Sequence, residues 1–258
     1  MSYHLSVLAI FKNETMNLKM WLDHYLWQGV DHFFLIDNGS TDYPMDILQS
    51  YIERGIVTCR SYPDRHQQVH HYNRMCEEER VRERTEWLCV CDLDEFFYGS
   101  RTTLRTTLDS MQSNIDVVCS SWKMFGHENL VAHPPDIRTA IVHRTPELEH
   151  QHTKYICRTR ILTHPGMLRI HNLWTPSDLW TPSDHPTGIV VHHENDRIQL
   201  NHYVLQSLQY YQQVKMTRGA ADDPRHEHVR DMKYFHERVS NCVRLDDELA
   251  RLVHEGYV

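Results

Sequence analysis

Two carboxylates one residue apart, Asp92 and Asp94, close the apolar run Trp87-Leu88-Cys89-Val90-Cys91. If that run is a buried strand, side chains at i and i+2 point the same way, and both acids face one side at its carboxyl end. Hard oxygen donors so placed suit Mg2+ or Mn2+, which bind one or two carboxylates and complete their shells with substrate phosphates. The bland alternative is a solvated acidic turn, because Asp-x-Asp is a common tripeptide. Glu95 follows and is expected to support the acids from behind. Three more polar clusters stand near strand-like runs. Asp37-Asn38-Gly39-Ser40-Thr41-Asp42 reads either as a plain turn with Asx-type bonds or as hydrogen-bond partners for a base and ribose. Lys12-Asn13-Glu14 reads as a helix start, where acids are favoured, or as a nucleotide contact. Asn201-His202-Tyr203 reads as the start of a helix, with His202 either structural or a third metal or phosphate partner; His192-His193 is a competing pair nearby.

The elements that must position these groups alternate. Leu5 to Phe11 predicts a strand. Leu18, Trp21, Leu22, Tyr25 and Leu26 fall at helical spacing, with Gly29 as the C-cap. His32 to Ile36 predicts a second strand, Met45 to Ile52 a second helix ended by Gly55, and Ile56 to Cys59 a third strand. Gln67 to Arg84 reads as one charged helix, and Trp87 to Cys91 as the fourth strand. This alternation predicts an α/β fold with a mostly parallel sheet covered on both faces. Ligands then bind beyond the carboxyl ends of the strands, where Asn13-Glu14, Asp37-Asn38 and Asp92-Leu93-Asp94 converge. The second half is less regular: strands are expected at Val117 to Trp122 and Ile156 to Leu162, and helices from His202 to Gly219 and His226 to His254. LWTPSD occurs twice in succession at 173–184 and reads as a loop.

The whole chain, 1–258, is read as one domain: a regular first half at 1–100, a less regular second half at 101–220, and a C-terminal helical segment at 221–258. Its composition, 40% hydrophobic and 24% charged, is that of a soluble globular protein. No apolar run approaches the roughly 20 residues that span a bilayer. Met1 to Phe11 lacks the basic start and small-residue cleavage site of a signal peptide, so a cytoplasmic location is expected, for this chain or for a larger protein from which it is a domain. A net charge of −8 argues against a nucleic-acid partner. Seven cysteines without a C-x-x-C pair point to a reduced compartment. The 21 histidines are scattered, and a metal-storage role ranks last among the alternatives.

Taken in order, several segments resemble the family 92 glycosyltransferases and their family 2-like relatives. They are KNET at 12–15, WLDHYLWQGVDHFFLIDNGSTD at 21–42, and Gln68-x-x-x-Tyr72-Asn73-x-x-Cys76. WLCVCDLDEFF at 87–97 and Trp122-Lys123-Met124-Phe125-Gly126 follow. The last are Lys154-Tyr155-Ile156-x-Arg158 and LNHYVLQS at 200–207 with Arg218-Gly219 behind it. The resemblance implies a GT-A fold, a UDP- or GDP-linked sugar donor, a glycan or glycoconjugate acceptor, and inversion. It implies Mn2+ or Mg2+ held by Asp92 and Asp94, with His202 as a metal or phosphate ligand. By the same resemblance Asn13, Glu14, Asp37 and Asp42 are nucleotide contacts, and Tyr72 and Asn73 line the donor site. After Phe125-Gly126 this chain departs from the family's small residues with His127-Glu128-Asn129. An inverting reaction needs a base for the acceptor hydroxyl; with 1–100 taken as the nucleotide-sugar-binding half and 101–220 as the acceptor-side half, the candidate carboxylates are Glu128, Asp178 and Asp184, with Glu128 first. A metal-dependent hydrolase is the rival enzyme, though no phosphate loop of the G-x-x-x-x-G-K-[ST] type is present. A non-catalytic sugar-binding module is the rival of another class.

Overall fold

Burial along the first strand, β1 (Tyr3–Phe11), alternates between two cores. Leu5, Val7, Ala9 and Phe11 pack into one, and Leu8 and Ile10 into the other. β2 (His32–Asp37) repeats this, with Phe33 and Leu35 on the first face and Phe34 and Ile36 on the second, and so does β4 (Thr85–Val90), with Trp87 and Cys89 against Leu88 and Val90. Period-two alternation with both faces apolar is what a sheet covered by helices on each side requires. The computed structural model describes residues 3–173, 189–226, 229–239 and 241–256. The LWTPSD duplication from residue 174 onward, with Asp178 and Asp184, lies outside the described residues.

β1, β2, β3 (Val57–Ser61) and β4 run parallel. Helix α1 (Thr15–Trp27) covers the first face with Leu18, Trp21, Leu22 and Tyr25, beside α2 (Met45–Glu53). Gly29 ends that turn at φ 88°, a conformation that favours glycine. The second face takes Tyr72 and Met75 of α3 (Gln68–Glu78) and Val81 of α4 (Val81–Arg84). The single helix expected over 67–84 is two, because Arg80 adopts a left-handed φ of 52° between them.

Past β4 the chain makes β5 (Glu95–Gly99), α5 (Leu104–Asp109), β6 (Val117–Met124), α6 (Ile137–Ala140), β7 (His143–Arg144) and β8 (Glu149–Arg158). Then come β9 (Val191–His193), β10 (Ile198–His202), α7 (Leu208–Tyr210), a π turn at Tyr211–Lys215, α8 (Met232–Val239), β11 (Arg244–Leu245) and α9 (Glu248–His254). The main sheet has nine strands in the order β3-β2-β1-β4-β8-β6-β10-β5, with β9 also on β6. Only β8 and β5 run against the rest. The mostly parallel α/β architecture expected from the sequence is thus present. Asn201 and His202 end a strand rather than start a helix, because Ile198–His202 is buried on both sides between β6 and β5. No described helix is long and apolar enough to cross a membrane, and all seven cysteines are unpaired.

Candidate active site

A cleft of roughly 390 Å3 opens at the carboxyl ends of β1, β2 and β4. Asp92, Leu93 and Asp94 form its floor, and Lys12, Asn38, Gln68, Trp122, His202 and Arg218 are among its walls. The strand ends at Val90, so the two acids sit in a turn closed by Glu95 N–H to the Asp92 carbonyl at 3.1 Å. They share the cleft, yet they do not share partners as an i, i+2 strand pair would. The turn is clamped from α1. Trp21 Nε1–H donates to the carbonyls of Asp92 at 3.2 Å and Glu95 at 3.1 Å, and the Tyr25 hydroxyl donates to the Glu95 carbonyl at 3.1 Å. From the far side, His202 stands opposite Glu95 in the β10–β5 register, and Tyr203 N–H donates to the Asp94 carbonyl at 2.8 Å.

Each acid has its own ammonium. Lys154, fully buried on β8, lies 2.9 Å from Asp92 Oδ2 and 3.3 Å from Glu95 Oε2. Burial alone would raise the Asp92 carboxyl, but Lys154 outweighs it and holds it below the usual range. Glu95 goes the other way, up to about 8: burial dominates, and Lys154 does not offset it against the two aspartates nearby. Glu95 is therefore mostly protonated at neutral pH, and its Oε2 receives the Asp92 N–H at 2.8 Å. Asp94 Oδ2 contacts Lys215 Nζ and lies 3.3 Å from His202 Nε2. Its burial is outweighed by Lys215, His202 and Arg218, which hold it well below the usual range. Lys215 does not gain in return. Burial and neighbouring Arg218 pull it down to about 8 despite Asp94. The Asp94 carboxylate keeps its charge through several cations. Burial lowers His202 as well, against the pull of Asp94. The Asp94 contact assigns its proton to Nε2, and the buried Nδ1 has no hydrogen-bond partner.

These donors can be tested against a divalent cation. Among the described residues no three His, Cys, Asp or Glu side chains are spaced as a ready-made metal group. A hard cation shared with substrate phosphates needs only one or two carboxylates from the protein. Asp92 and Asp94 at the cleft floor meet that lesser requirement, with Lys215 the group that shares Asp94 Oδ2 and His202 in the wall beside them.

The other expected contacts are distributed differently. Asn13 Oδ1 accepts from Thr41 N–H at 2.7 Å, Asp37 Oδ1 from Ser40 N–H at 2.8 Å, and Asp42 Oδ2 from Thr15 N–H at 2.9 Å. Asn13 and Asp42 stitch the segments after β1 and β2 together, Asp37 closes its own turn, and Asn38 is the member of its cluster that lines the cleft. Glu14 is 1% exposed and meets Arg218 and Tyr210 rather than the cleft. Tyr72 stands behind Asp92, its hydroxyl 3.3 Å from Oδ1, beside Gln68. Asn73 is spent on the Leu168 backbone, donating to its carbonyl at 2.9 Å and accepting from its N–H at 3.0 Å. Glu128 is not a cleft residue. Its Oε1 accepts from the N–H groups of Val142 at 3.1 Å and His143 at 2.7 Å and meets His143 Nδ1 at 3.0 Å, so it anchors β7. The acceptor-side carboxylate that does line the cleft is Glu149, paired with Trp122 across β6 and β8. Residue patterning alone gave no role to Lys154, Lys215, Arg218 or Glu149. Lysine inside the apolar segment Lys154-Tyr155-Ile156-Cys157 was the one local signal, since lysine is almost never fully buried unless paired.

The class these features define is a mostly parallel α/β protein with acidic and basic side chains gathered in a cleft at the carboxyl edge of its sheet. Comparison with known proteins sharpens the class. The sequence model of glycosyltransferase family 92 matches residues 5–244, and the chain belongs to that family. A glycosyltransferase family 92 protein of Ricinus communis is 27% identical over 147 residues, 51% of this chain and 25% of that protein. The chain thus spans about a quarter of the length of that curated relative. Among solved structures, S. aureus TarS overlaps 91% of this chain and 43% of its own at 15% identity and a TM-score of 0.46. TarS residues 1–349, crystallised with UDP, overlap 62% and 48% at 15% identity and 0.42. Overlaps at these scores mark distant likeness only.

Proposed function

We propose that the chain transfers a sugar from a nucleoside-diphosphate donor to a hydroxyl of a glycan or glycoconjugate acceptor, with inversion, on a GT-A-type sheet. The observation that carries this is the Asp92-Leu93-Asp94 turn on the floor of a cleft walled by Lys12 and Arg218; family membership supports it. When the anomeric carbon–oxygen bond breaks, its electron pair moves onto the leaving diphosphate. Lys12 and Arg218 stabilise that charge by donating hydrogen bonds that strengthen as it develops. Mn2+ or Mg2+, held by Asp92, Asp94 and His202, would supply further neutralisation of the diphosphate when bound. Glu149 takes the proton of the acceptor hydroxyl as its oxygen bonds to the anomeric carbon. Glu149 also lines a second groove of roughly 560 Å3, with Met124, Phe125, Val204, Leu205 and Pro146, which adjoins the donor cleft and gives an acceptor its approach.

The test is transfer from a panel of UDP- and GDP-sugars to oligosaccharide acceptors, in EDTA and after Mn2+ is restored. Acceptor-dependent product that disappears in EDTA and returns with Mn2+ is expected. Free sugar without acceptor product would establish the hydrolase instead, and undiminished transfer in EDTA would remove the metal. Glu149→Gln should lower kcat by about 10²–10⁴, and a Glu149→Gln enzyme with full turnover removes the base.

A further inference from the structure

The C-terminal strap from Tyr210 to Arg218 carries chemistry that the acidic motif does not account for. Tyr210 is capped through Ser207 Oγ, and the π turn at Tyr211–Lys215 follows it directly. π turns are rare and concentrate at functional sites. This one brings Lys215 onto Asp94 and, three residues later, Arg218 onto Glu14. Glu14 reaches neither solvent nor cleft. Both its oxygens accept from the Tyr210 hydroxyl at 2.8 Å, and one pairs with Arg218 Nη1. Arg218 itself does line the cleft, with Asp92, Asp94 and Lys12. Its side chain is 17% exposed.

We propose that Arg218 grips the diphosphate of the donor, and that Glu14 and Tyr210 are positioning residues that act through Arg218 rather than contacts of the nucleotide. This rests on the nucleotide-sugar reading above. A guanidinium has five donors in a rigid plane, so a carboxylate can hold one part of it while another meets phosphate oxygens two at a time. A buried carboxylate is costly unless paired and hydrogen-bonded, and here its close partners, the Tyr210 hydroxyl and Arg218, come from the strap, with Asn17 Nδ2 of α1 donating to Oε2 at 3.5 Å. Holding the guanidinium in its binding orientation before the ligand arrives reduces the ordering that binding must impose. The support continues outward: Asn17 Nδ2 donates to Gln206 Oε1 at 2.9 Å, and Asn17 Oδ1 meets His133 Nε2 at 3.0 Å.

Calorimetry with inorganic pyrophosphate and, separately, with uridine and guanosine tests this. Wild type should bind pyrophosphate, and Arg218→Met should bind it at least about tenfold more weakly, the worth of one charge-assisted contact. Arg218→Lys should recover only part of the loss, because an ammonium lacks the planar fork. Glu14→Gln and Tyr210→Phe should weaken pyrophosphate by about threefold or more while leaving nucleoside affinity at the wild-type value, on the order of the net worth of one hydrogen bond. Tyr210→Phe removes only a hydroxyl and carries the test if Glu14→Gln does not fold. Combined with Arg218→Met, it should cost nothing further. Wild-type pyrophosphate affinity in Arg218→Met overturns the grip, and equal weakening of nucleoside and pyrophosphate in the Glu14 or Tyr210 variants overturns their positioning role. Arg218-dependent pyrophosphate binding in an enzyme that transfers from no nucleotide sugar would leave this inference standing and refute the function proposed above.

Discussion

Replacing Lys154 by Met removes an ammonium that is 0% exposed and touches two carboxylates, Asp92 and Glu95. Deleting one partner of a buried ion pair costs about 3–5 kcal/mol when the other keeps its charge. Two features of this site favour the lower end. Glu95, raised to about 8, already holds its proton for the most part at pH 7 and leaves little charge there unpaired, and the Asp92 side chain keeps 30% exposure, so water can replace part of its lost solvation. The expected loss is about 3 kcal/mol at pH 7, which lowers Tm by about 6–12 °C in a chain of this size. The deficit should also depend on pH. Glu95 titrates higher folded than unfolded, so between about 4.5 and 8 the native state holds the extra proton and stability falls as pH rises. Loss of Lys154 raises that carboxyl further, so the deficit should be smaller at pH 5, where Glu95 is protonated in both proteins, than at pH 8. Urea unfolding followed by tryptophan fluorescence at the two pH values measures it, and Lys154→Met/Glu95→Gln should regain part of the loss at pH 8. A deficit below about 1 kcal/mol, the scale of an exposed pair, would refute the claim that Lys154 is the counter-ion of a buried site. A deficit equal at pH 5 and 8 would refute the role given to Glu95.

Asp94→Asn should reduce turnover by about 10²–10³, the scale seen when an electrostatic catalytic group is lost, while thermal melting shows the fold retained; near-wild-type turnover would contradict the site. His24 is buried against the Phe97 carbonyl at 2.7 Å and is lowered to about 3 by burial and by Arg138. The unfolded chain then binds its proton below about 6.5 and the native one does not, so stability present above that pH is lost as pH falls toward 3. The slope is about 1.4 kcal/mol per pH unit, or about 2 kcal/mol between 6.5 and 5. Denaturant titrations of wild type and His24→Gln should show that slope lessened in the variant. Trp21→Phe leaves the carbonyls of Asp92 and Glu95 without their shared donor and should cost about 1–3 kcal/mol, measured by urea midpoint. A midpoint unchanged from wild type would mean that the turn does not depend on α1.

The first half of the fold was legible because β1, β2 and β4 are buried on both faces and therefore read as unbroken apolar runs. Gly29 and Gly55 marked the helix ends truly, at φ 88° and 71°. Arg80 marked nothing: a left-handed arginine carries no sequence signal, and one expected helix became two. β5 was missed because Glu95-Phe96-Phe97-Tyr98-Gly99 is short and pairs with β10, about a hundred residues later, which no local pattern reveals. The same pairing explains His202, whose burial comes from strands on both sides. Of the site, the acids were visible and their partners were not. Lys154 and Lys215 lie 62 and 121 residues from the aspartates they neutralise. Glu128 misled because its place after Phe125-Gly126 does not disclose that the backbone N–H groups of Val142 and His143, at the start of β7, already claim it.

The two aspartates, identical in type and one residue apart, are held for different ends. Asp92 is tied to a lysine that is itself fixed inside the sheet, and Gln68 and Tyr72 approach its other oxygen. Nothing in that set can move without opening the core, so Asp92 sets the position of the turn. Asp94 meets a lysine on the π turn, outside the sheet, whose own charge is weakened by burial and by Arg218. Lys154 is instead held well above the usual lysine range by Asp92 and Glu95. On that ground substitution of Asp94 should appear chiefly in turnover, and substitution of Asp92 in turnover and stability together.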